Sequence, residues 1–575
     1  MANLPLRGLG STGVVPDVSP YDLPPSGYSR ADNVLFEDGK VKRGYVLRTF
    51  HNFNTDYICT ASVSHQDDTG LDNFFICNLG YDCLRWANDQ FVSVNNNVYH
   101  AVTTPAAPET PMNGAVLGSV VYFNKAGSVP IYKLSSDTFF RELYPKAGSP
   151  AGVTSTWGDG GTTWTCATLR PFGDYMIAMN MTEGAGTFPS RVRFSDPVTS
   201  GQPALNWDAS DTTNSAGFVD LAQLEGGIVD GLSLRNQFII YSHHEAWLME
   251  LVGGQFIFNF RRLFADEGVL GINCVAEVGD YHYVFGRDDI YRHNGTQKES
   301  ISDGRVRDFI FNNMAGNFKH ASFVFHDPRF SKILFCYKSV DSNTAWSEST
   351  HCNKAAVYDY VNNTWSFMDL PNVVSAASFV STSNLTYETV AGLSYENVGG
   401  TYDATITGKQ DGTVFFNSLT HIETPADANA YPAASADVYY DRTHNSALAL
   451  DTILSASSVI SPLETKMNAL PILERTGIDL DEAGLETRRY KSLSALYPQM
   501  ISSTNSTVNF SVGAADLPNN APNYTTTYPF NPDTEYHLNT RASGRYLSYK
   551  LETSNVSTDF ELTGIDAEFL TTGKR

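Results

Sequence analysis

What this 575-residue chain lacks narrows the field first. No stretch approaches the roughly 18 consecutive apolar residues that a bilayer-crossing helix needs, so no membrane-spanning segment is expected. The start, "MANLPLRGLGSTG", has no apolar core of the kind a secretory signal carries, which points to a soluble protein made in a cytoplasm. Cysteine is scarce: seven residues, an odd number, run from Cys59 to Cys352 without C-x2-C spacing, which argues against a disulfide framework and a zinc site of that type. Positive charge is scarce as well. Lys and Arg total 39 against 62 Asp and Glu, a net charge of −23, whereas affinity for nucleic acid normally comes from basic groups that neutralise phosphates. The arginine pairs in "FRRLF" and "ETRRYK" are too sparse to form a dense basic patch and read as solvated strand edges or ordinary ion pairs. Long amphipathic runs of period 3.6 are largely missing, so helical architectures fit poorly.

What is present suits strands. Hydrophobic residues make up 42% of the chain and aromatic residues 12%, enough for a sizeable core. At this length, at least two domains or one large closed repeat are expected. Residues 1–50 are rich in Pro and Gly and turn into "ADNVLFEDGKVKRGYVLRTF", an arm that leads into the first strands. From 51 to 440 one pattern recurs, an apolar strand, a turn rich in Gly, Asn or Asp, and further strands. It is seen in "NFFICNLGYDCLRWANDQFVSV", "GSVVYFNKAGSVPIYKLSSDTFFREL", "GDYMIAMNMTEGAGTFPSRVRFSDP", "NQFIIYSHHEAWLMELVGGQFIFNFRRLF" and "DYHYVFGRDDIYRHNGTQKESIS". It returns in "SKILFCYKSV…KAAVYDYVNNTWSFMDL", and more weakly in "GKQDGTVFFNSLTHIE". About seven such units, roughly 45 to 70 residues apart, predict an all-β fold, a β-propeller of about seven blades. Beyond 440 the aromatics thin out, and a short helix or long connection is expected before "KSLSALYPQMI", "STVNFSVGAAD", "GRYLSYKLETS" and "TDFELTGIDAEFL". These alternating segments predict a C-terminal antiparallel β-sandwich over 441–575.

Several stretches imitate functional motifs. "GLGSTG", Gly8–Gly13, fits GxGxxG, yet no strand precedes it and the prolines at 16, 20, 24 and 25 bar the helix that would hold a pyrophosphate. "SHHEAW" places His243, His244 and Glu245 side by side in a strand, where at most His243 and Glu245 share a face, and a metal would need a third ligand. "DLDEAG", Asp479–Gly484, begins like a calcium loop but has Ala483 at a ligand position and Tyr490 where the bidentate Glu belongs. G-x-S-x-G, P-loop and deaminase signatures are missing. The stretch "WGDGGTTW" resembles the Asp-box of sialidases and related propellers through Asp159, Gly161, Thr163 and Trp164, with Trp157 where Ser is expected. It occurs once, and the Arg-Ile-Pro type motif of sialidases is missing, so the stretch reads as a hairpin or loop. No residue is therefore assigned a catalytic, cofactor-binding or metal-ligating role, and no enzymatic activity is expected.

The order of segments resembles a known family. "ADNVLFEDGKVKRGYV", "RVRFSDPVTSGQPALNWDA", "LEGGIVDGLSLRNQFIIYSHHEAWLMELVGG", "GVLGINCVAEVGDYHYVFGRDDIYRHNG" and "SGRYLSYKLE…FELTGIDAEFLTTGKR" are similar to the tail nozzle (tail tubular protein B) proteins of short-tailed bacteriophages, best over 218–300 and 540–575. The layout is also similar to the packaged-DNA stabilisation hub of P22-like phages. Within those segments, Gly226, Gly227 and Gly231 permit tight turns before a strand from Phe238 to Tyr241. Asn294-Gly295 suits a two-residue hairpin turn, and Leu547, Tyr549 and Leu551 alternate with Tyr546, Ser548 and Lys550 as in a half-buried strand. The resemblance implies a structural virion protein without cofactors, assembled in the host cytoplasm into a homo-hexameric tube. It further implies contacts with a portal-proximal adaptor ring and with tail fibres or a needle, and genomic DNA passing through the lumen without sequence-specific binding. The alternatives are a glycan-binding or glycan-cleaving propeller in receptor recognition, or a scaffold propeller.

Overall fold

The computed structural model describes residues 2–574 apart from 54–56, 88–89, 104–109, 111, 145–153, 159–161, 255, 342–349, 383–408, 420–443, 452–467, 480–488, 503–505, 518–519 and 557. Among these residues the helical elements are a short helix, Arg307–Asn313, and a 3-10 turn, Gly316–Ala321. Everything else regular is strand.

Five blades are contiguous four-stranded antiparallel meanders. Blade 1 runs from Ala61–Gln66 to Gln90–Ser93, blade 2 from Met112–Leu117 to Arg141–Glu142, and blade 3 from Trp164–Phe172 to Gly217–Asp220. Blade 4 runs from Asp230–Leu234 to Phe258–Phe264 and blade 5 from Val275–Val278 to Lys298–Ser300. Blade 6 comprises Phe323–Asp327, Lys332–Tyr337, Cys352–Asp359 and the first half of the long strand Thr364–Thr382. At Asn372, whose φ is 53°, that strand shifts register, and its second half pairs with Lys409–Leu419. Blade 7 is completed by His444–Asp451 and by Val46–Phe53 from the N-terminal part of the chain. The first strands of successive blades pack side by side, and the second half of Thr364–Thr382 packs on the first strand of blade 1, closing a seven-bladed ring.

The apolar runs follow from this packing, since a blade is covered on both faces. In "MIAM", Ile177 and Met179 pack towards blade 4 while Met176 and Ala178 pack towards blade 2. In "FIIY", Phe238 and Ile240 meet blade 3, and Ile239 and Tyr241 join the core shared with blade 5. Alternation persists, but both sides are dry.

The sandwich is built from both ends of the chain. One sheet orders Leu538–Gly544, Arg489–Ser502, Phe560–Lys574, Lys40–Arg43 and Val34–Glu37, with Ala2–Arg7 also paired to Phe560–Lys574. The other orders Asn523–Phe530, Val508–Ala515, Tyr546–Thr553, Ile472–Ile478 and Arg30–Asp32. Arg30–Asp32 also meets Phe367 of blade 6 in parallel, so this sheet continues into the propeller. The core follows suit: Leu493, Phe510, Tyr549 and Phe569 of the sandwich share one apolar cluster with Tyr291, Phe335 and Trp365 of the propeller.

Three expectations change here. The divisions at 50 and 440 cut through blade 7, because Val46–Phe53 and His444–Asp451 pair with each other. Residues 2–43 supply strands to both sheets of the sandwich. Where a helix or connection was expected, "ILERTGI", Ile472–Ile478, is an alternating strand. The "GLGSTG" glycines serve close chain packing: a Cβ on Gly10 would lie 2.2 Å from the Lys40 carbonyl oxygen.

Buried charges fasten the N-terminal strands to blade 6. Lys354 Nζ lies 3.1 Å from Asp32 Oδ1 and 3.8 Å from Asp369 Oδ1, and Asn33 exchanges two hydrogen bonds of 2.9 Å with Asp369. Nearby, Lys332 pairs with Asp359 and with Glu37, the latter at 3.1 Å. Burial raises the Asp369 carboxyl to about 6, against the lowering pull of Lys354.

Candidate functional site

The seven first strands surround the propeller axis, and polar side chains fill it. Arg170 of blade 3 donates from Nε and Nη2 to the two carboxylate oxygens of Asp230 of blade 4, at 2.9 and 2.8 Å. Arg170 Nη2 also reaches Asn273 Oδ1 at 2.8 Å, the Asn273 backbone N–H donates to Asp230, and Asn273 Nδ2 donates to the Met112 carbonyl of blade 2. Four blades are thereby locked across the axis. The remaining space, about 220 Å³, lies between Thr60, Asn113, Leu232, Val324 and Ser375. Low-dielectric surroundings strengthen such a bidentate pair, which acts as a structural plug.

A second, larger cavity of about 550 Å³ opens where blades 3, 4 and 5 meet the 3-10 turn. In an up-and-down meander, the turns between second and third strands lie on the same face as the connections entering the first strands. His243 and His244 come from that turn of blade 4, Arg287 from the same turn of blade 5, and Lys319 and His320 from the connection into blade 6. The cavity lies on that face. Ile228, Leu270 and Ile272 form apolar wall, and Asn180, anchored by donation to the Ile228 carbonyl at 3.0 Å, adds an amide.

The structure overturns the strand reading of "SHHEAW". Strands end at Tyr241 and resume at Ala246, because the Ser242 hydroxyl accepts from the backbone N–H groups of His244 and Glu245 at 3.1 and 3.0 Å and closes a turn. Both histidines consequently line the cavity. Glu245 is buried elsewhere, accepting from the Glu225 N–H at 2.5 Å and facing Arg262 at 3.6 Å.

Other motif residues have structural surroundings. Trp157 and Trp164 of "WGDGGTTW" are buried, with Trp157 Nε1 donating to the Trp164 carbonyl at 2.8 Å and stacking edge-on against Trp207. Asp159 and Gly161 lie outside the described residues, as do residues 480–484 of the calcium-like loop. Tyr490 is in a strand and donates to Asp516. The strand at Phe238–Tyr241 stands as expected, and Leu547, Tyr549 and Leu551 are buried between half-buried Tyr546 and Lys550, but Ser548 is buried as well. Asn294-Gly295, by contrast, belongs to a four-residue loop between paired His293 and Lys298, whose Asn294 side chain accepts from the N–H groups of Thr296 and Gln297.

Sequence reasoning missed both the axial plug and the basic cavity. Their signal is positional. Asp230 and Asn273 occupy the entry to the first strands of consecutive blades, and "SHHE" and "GRDD" occupy equivalent turns, so aligning the repeats on one another would have singled them out.

Comparison with known proteins adds little to these observations. No family model matches the chain, and no curated protein matches it. Among solved structures, YCF48 from Cyanidioschyzon merolae is similar over 58% of this chain and 92% of its own, at 10% identity and a TM-score of 0.33. The extracellular domain of a hybrid two-component system protein from B. thetaiotaomicron is similar over 47% of this chain and 32% of its own, at 10% identity and a TM-score of 0.30. The propeller assignment rests on the strand pairing and ring closure described above.

Proposed function

We propose that this chain is a structural subunit of the tail nozzle of a short-tailed phage, forming a homo-hexameric tube that retains and conducts genomic DNA and performs no chemistry. The carrying observation is the construction of the subunit: a propeller with a plugged axis, tied by buried charges to a sandwich built from both chain ends. A cavity of about 220 Å³ passes no duplex, so a conduit made of this protein requires a ring of copies. The nozzle-like segments 218–300 and 540–575 span the last strand of blade 3 through blade 5, and the final strands of the sandwich. The charge of −23 per copy suits a lumen that repels the duplex and keeps it mobile, since repulsion acts within about 10 Å at 0.1 M salt.

Electron microscopy and light scattering of the purified protein, alone and with an adaptor ring, test this reading. Six-membered rings that do not retard DNA in low salt are expected. A strictly monomeric protein that ignores the adaptor, or a ring that binds DNA tightly, overturns it.

A further inference from the structure

We infer that the cavity at the junction of blades 3, 4 and 5 binds a small organic anion, a carboxylate or phosphate on a body about the size of a monosaccharide. Size comes first: about 550 Å³ falls within the range of small-molecule sites and far exceeds the axial space. Charge comes second. The wall carries Arg287, Lys319 and three histidines and no acidic residue, in a chain where carboxylates outnumber Lys and Arg by 62 to 39. Ordinary surface here would bring acids to such cations, as Glu299 is brought to Arg292 at 2.7 Å and Glu267 to Lys298 at 3.0 Å. Among the described residues, neither Arg287 nor Lys319 has a carboxylate within ion-pair distance. A bound anion supplies the counter-charge that the wall lacks.

The hydrogen-bonding groups are set for an oxyanion. His243 Nδ1 donates to the Val269 carbonyl at 3.0 Å, which fixes its ring in the cavity wall. Arg287 Nη1 rests 3.3 Å from His244 Nε2, which steadies the guanidinium while its other N–H donors stay uncommitted. Ile228, Leu270 and Ile272 offer the apolar surface against which a sugar or other small body packs. This inference stands independently of ring formation.

Calorimetric titration of the intact protein with glucuronate, glucose 6-phosphate and glucose tests it, the two anions distinguishing carboxylate from phosphate. At least one anion is expected to bind at least about ten-fold tighter than glucose and to weaken as salt rises from about 50 to about 500 mM. The double variant R287Q/K319Q should lose at least about ten-fold in that affinity while its melting temperature stays at the wild-type value, because Arg287 is exposed and Lys319 only half-buried. Equal affinity for glucose and the anions, no binding of either anion, or anion binding that survives the double variant each overturns the inference. Should the variant unfold, H244Q with K319Q replaces it under the same criteria.

Discussion

Blades 1 to 5 and the sandwich are both antiparallel β-structure, yet the chain assembles them in opposite ways. Each of those blades is one contiguous stretch whose strands pair with their immediate neighbours in sequence. The sandwich and blade 7 join strands from the two ends of the chain: Ala2–Arg7 pairs with Phe560–Lys574, and Val46–Phe53 with His444–Asp451. Local pairing costs little loop-closure entropy, whereas long-range pairing must wait for distant segments to meet. The blades therefore define themselves, and the N-terminal strands serve as the clasp that makes propeller and sandwich one body.

Removing the clasp should have the largest effect. Deletion of residues 1–45 strips Phe560–Lys574 of Ala2–Arg7 and Lys40–Arg43, and Ile472–Ile478 of Arg30–Asp32. The expected outcome is loss of the whole sandwich as a cooperative unit, read as rapid proteolysis beyond residue 468 while fragments spanning blades 1 to 5 persist. If the truncated chain melts as the wild type does, the two regions are not built differently in any sense that matters to stability.

A subtler break keeps every strand and removes one charge. In K354M, Asp369 loses its lysine while Asp32 keeps Arg30 at 2.5 Å, and breaking a buried pair in this one-sided way costs up to about 3–5 kcal/mol. Denaturant unfolding monitored by tryptophan fluorescence measures it. A loss below about 1 kcal/mol would mean that the backbone pairing, not the ion network, fastens the two regions.

The same division decides what the sequence reveals. All seven quoted repeat units map onto blades, because second strands covered on both faces read as apolar runs such as "MIAM" and "FIIY", bounded by Gly or Asn turns. Arg30–Asp32 is illegible in the same terms: three residues whose partners include Ile472–Glu474 carry no local signature. "SHHEAW" was misread because it lies between two apolar runs, and only the Ser242 hydroxyl, closing the turn, separates them. The axial plug depends on juxtaposing Arg170, Asp230 and Asn273 from three blades, which no single window contains.

Within the blades, pH offers a contrast to the clasp. Blades 4 and 5 share a buried relay in which Gly295 N–H donates to His293 Nδ1 and His293 Nε2 donates to the Tyr241 oxygen at 2.6 Å. Tyr241 O–H then donates to His282 Nδ1 at 2.8 Å, and His282 Nε2 donates to the Ser233 carbonyl. Each proton has one acceptor, so both imidazoles are neutral. Burial lowers His282 to about 4 and, with repulsion from His282, lowers His293 to about 3, against an ordinary value of 6.5. A depressed pKa means the unfolded chain takes up protons first. Stability is complete above about pH 6.5 and declines as pH falls towards 4, by about 2 kcal/mol per imidazole at about pH 5. The Asp369 carboxyl has the opposite sign: raised to about 6, it favours the fold in acid and loses that contribution as pH rises through 6. Unfolding of wild type and Y241F across this range separates the two, and a wild-type profile that stays flat below pH 6 sinks the neutral relay.

The smallest effect belongs to an ion pair on the surface of a blade. Arg292 donates from Nε and Nη2 to one carboxylate oxygen of Glu299, at 2.9 and 2.7 Å, on paired strands of blade 5. Its carboxylate is 62% exposed, so water and salt screen the attraction that burial leaves intact at Lys354 and Asp32. Burial lowers the arginine's pKa, but Glu299 and the neighbouring Tyr283 outweigh it and raise the net value, and a group that is charged at every working pH gains no usable stability from that shift. A double-mutant cycle of R292Q and E299Q should therefore return a coupling of about 0.2–1 kcal/mol that fades in high salt. A coupling as large as the loss in K354M would show that exposure does not govern these pairs, and the distinction between a locally held blade and a charge-clasped junction would fail at its physical root.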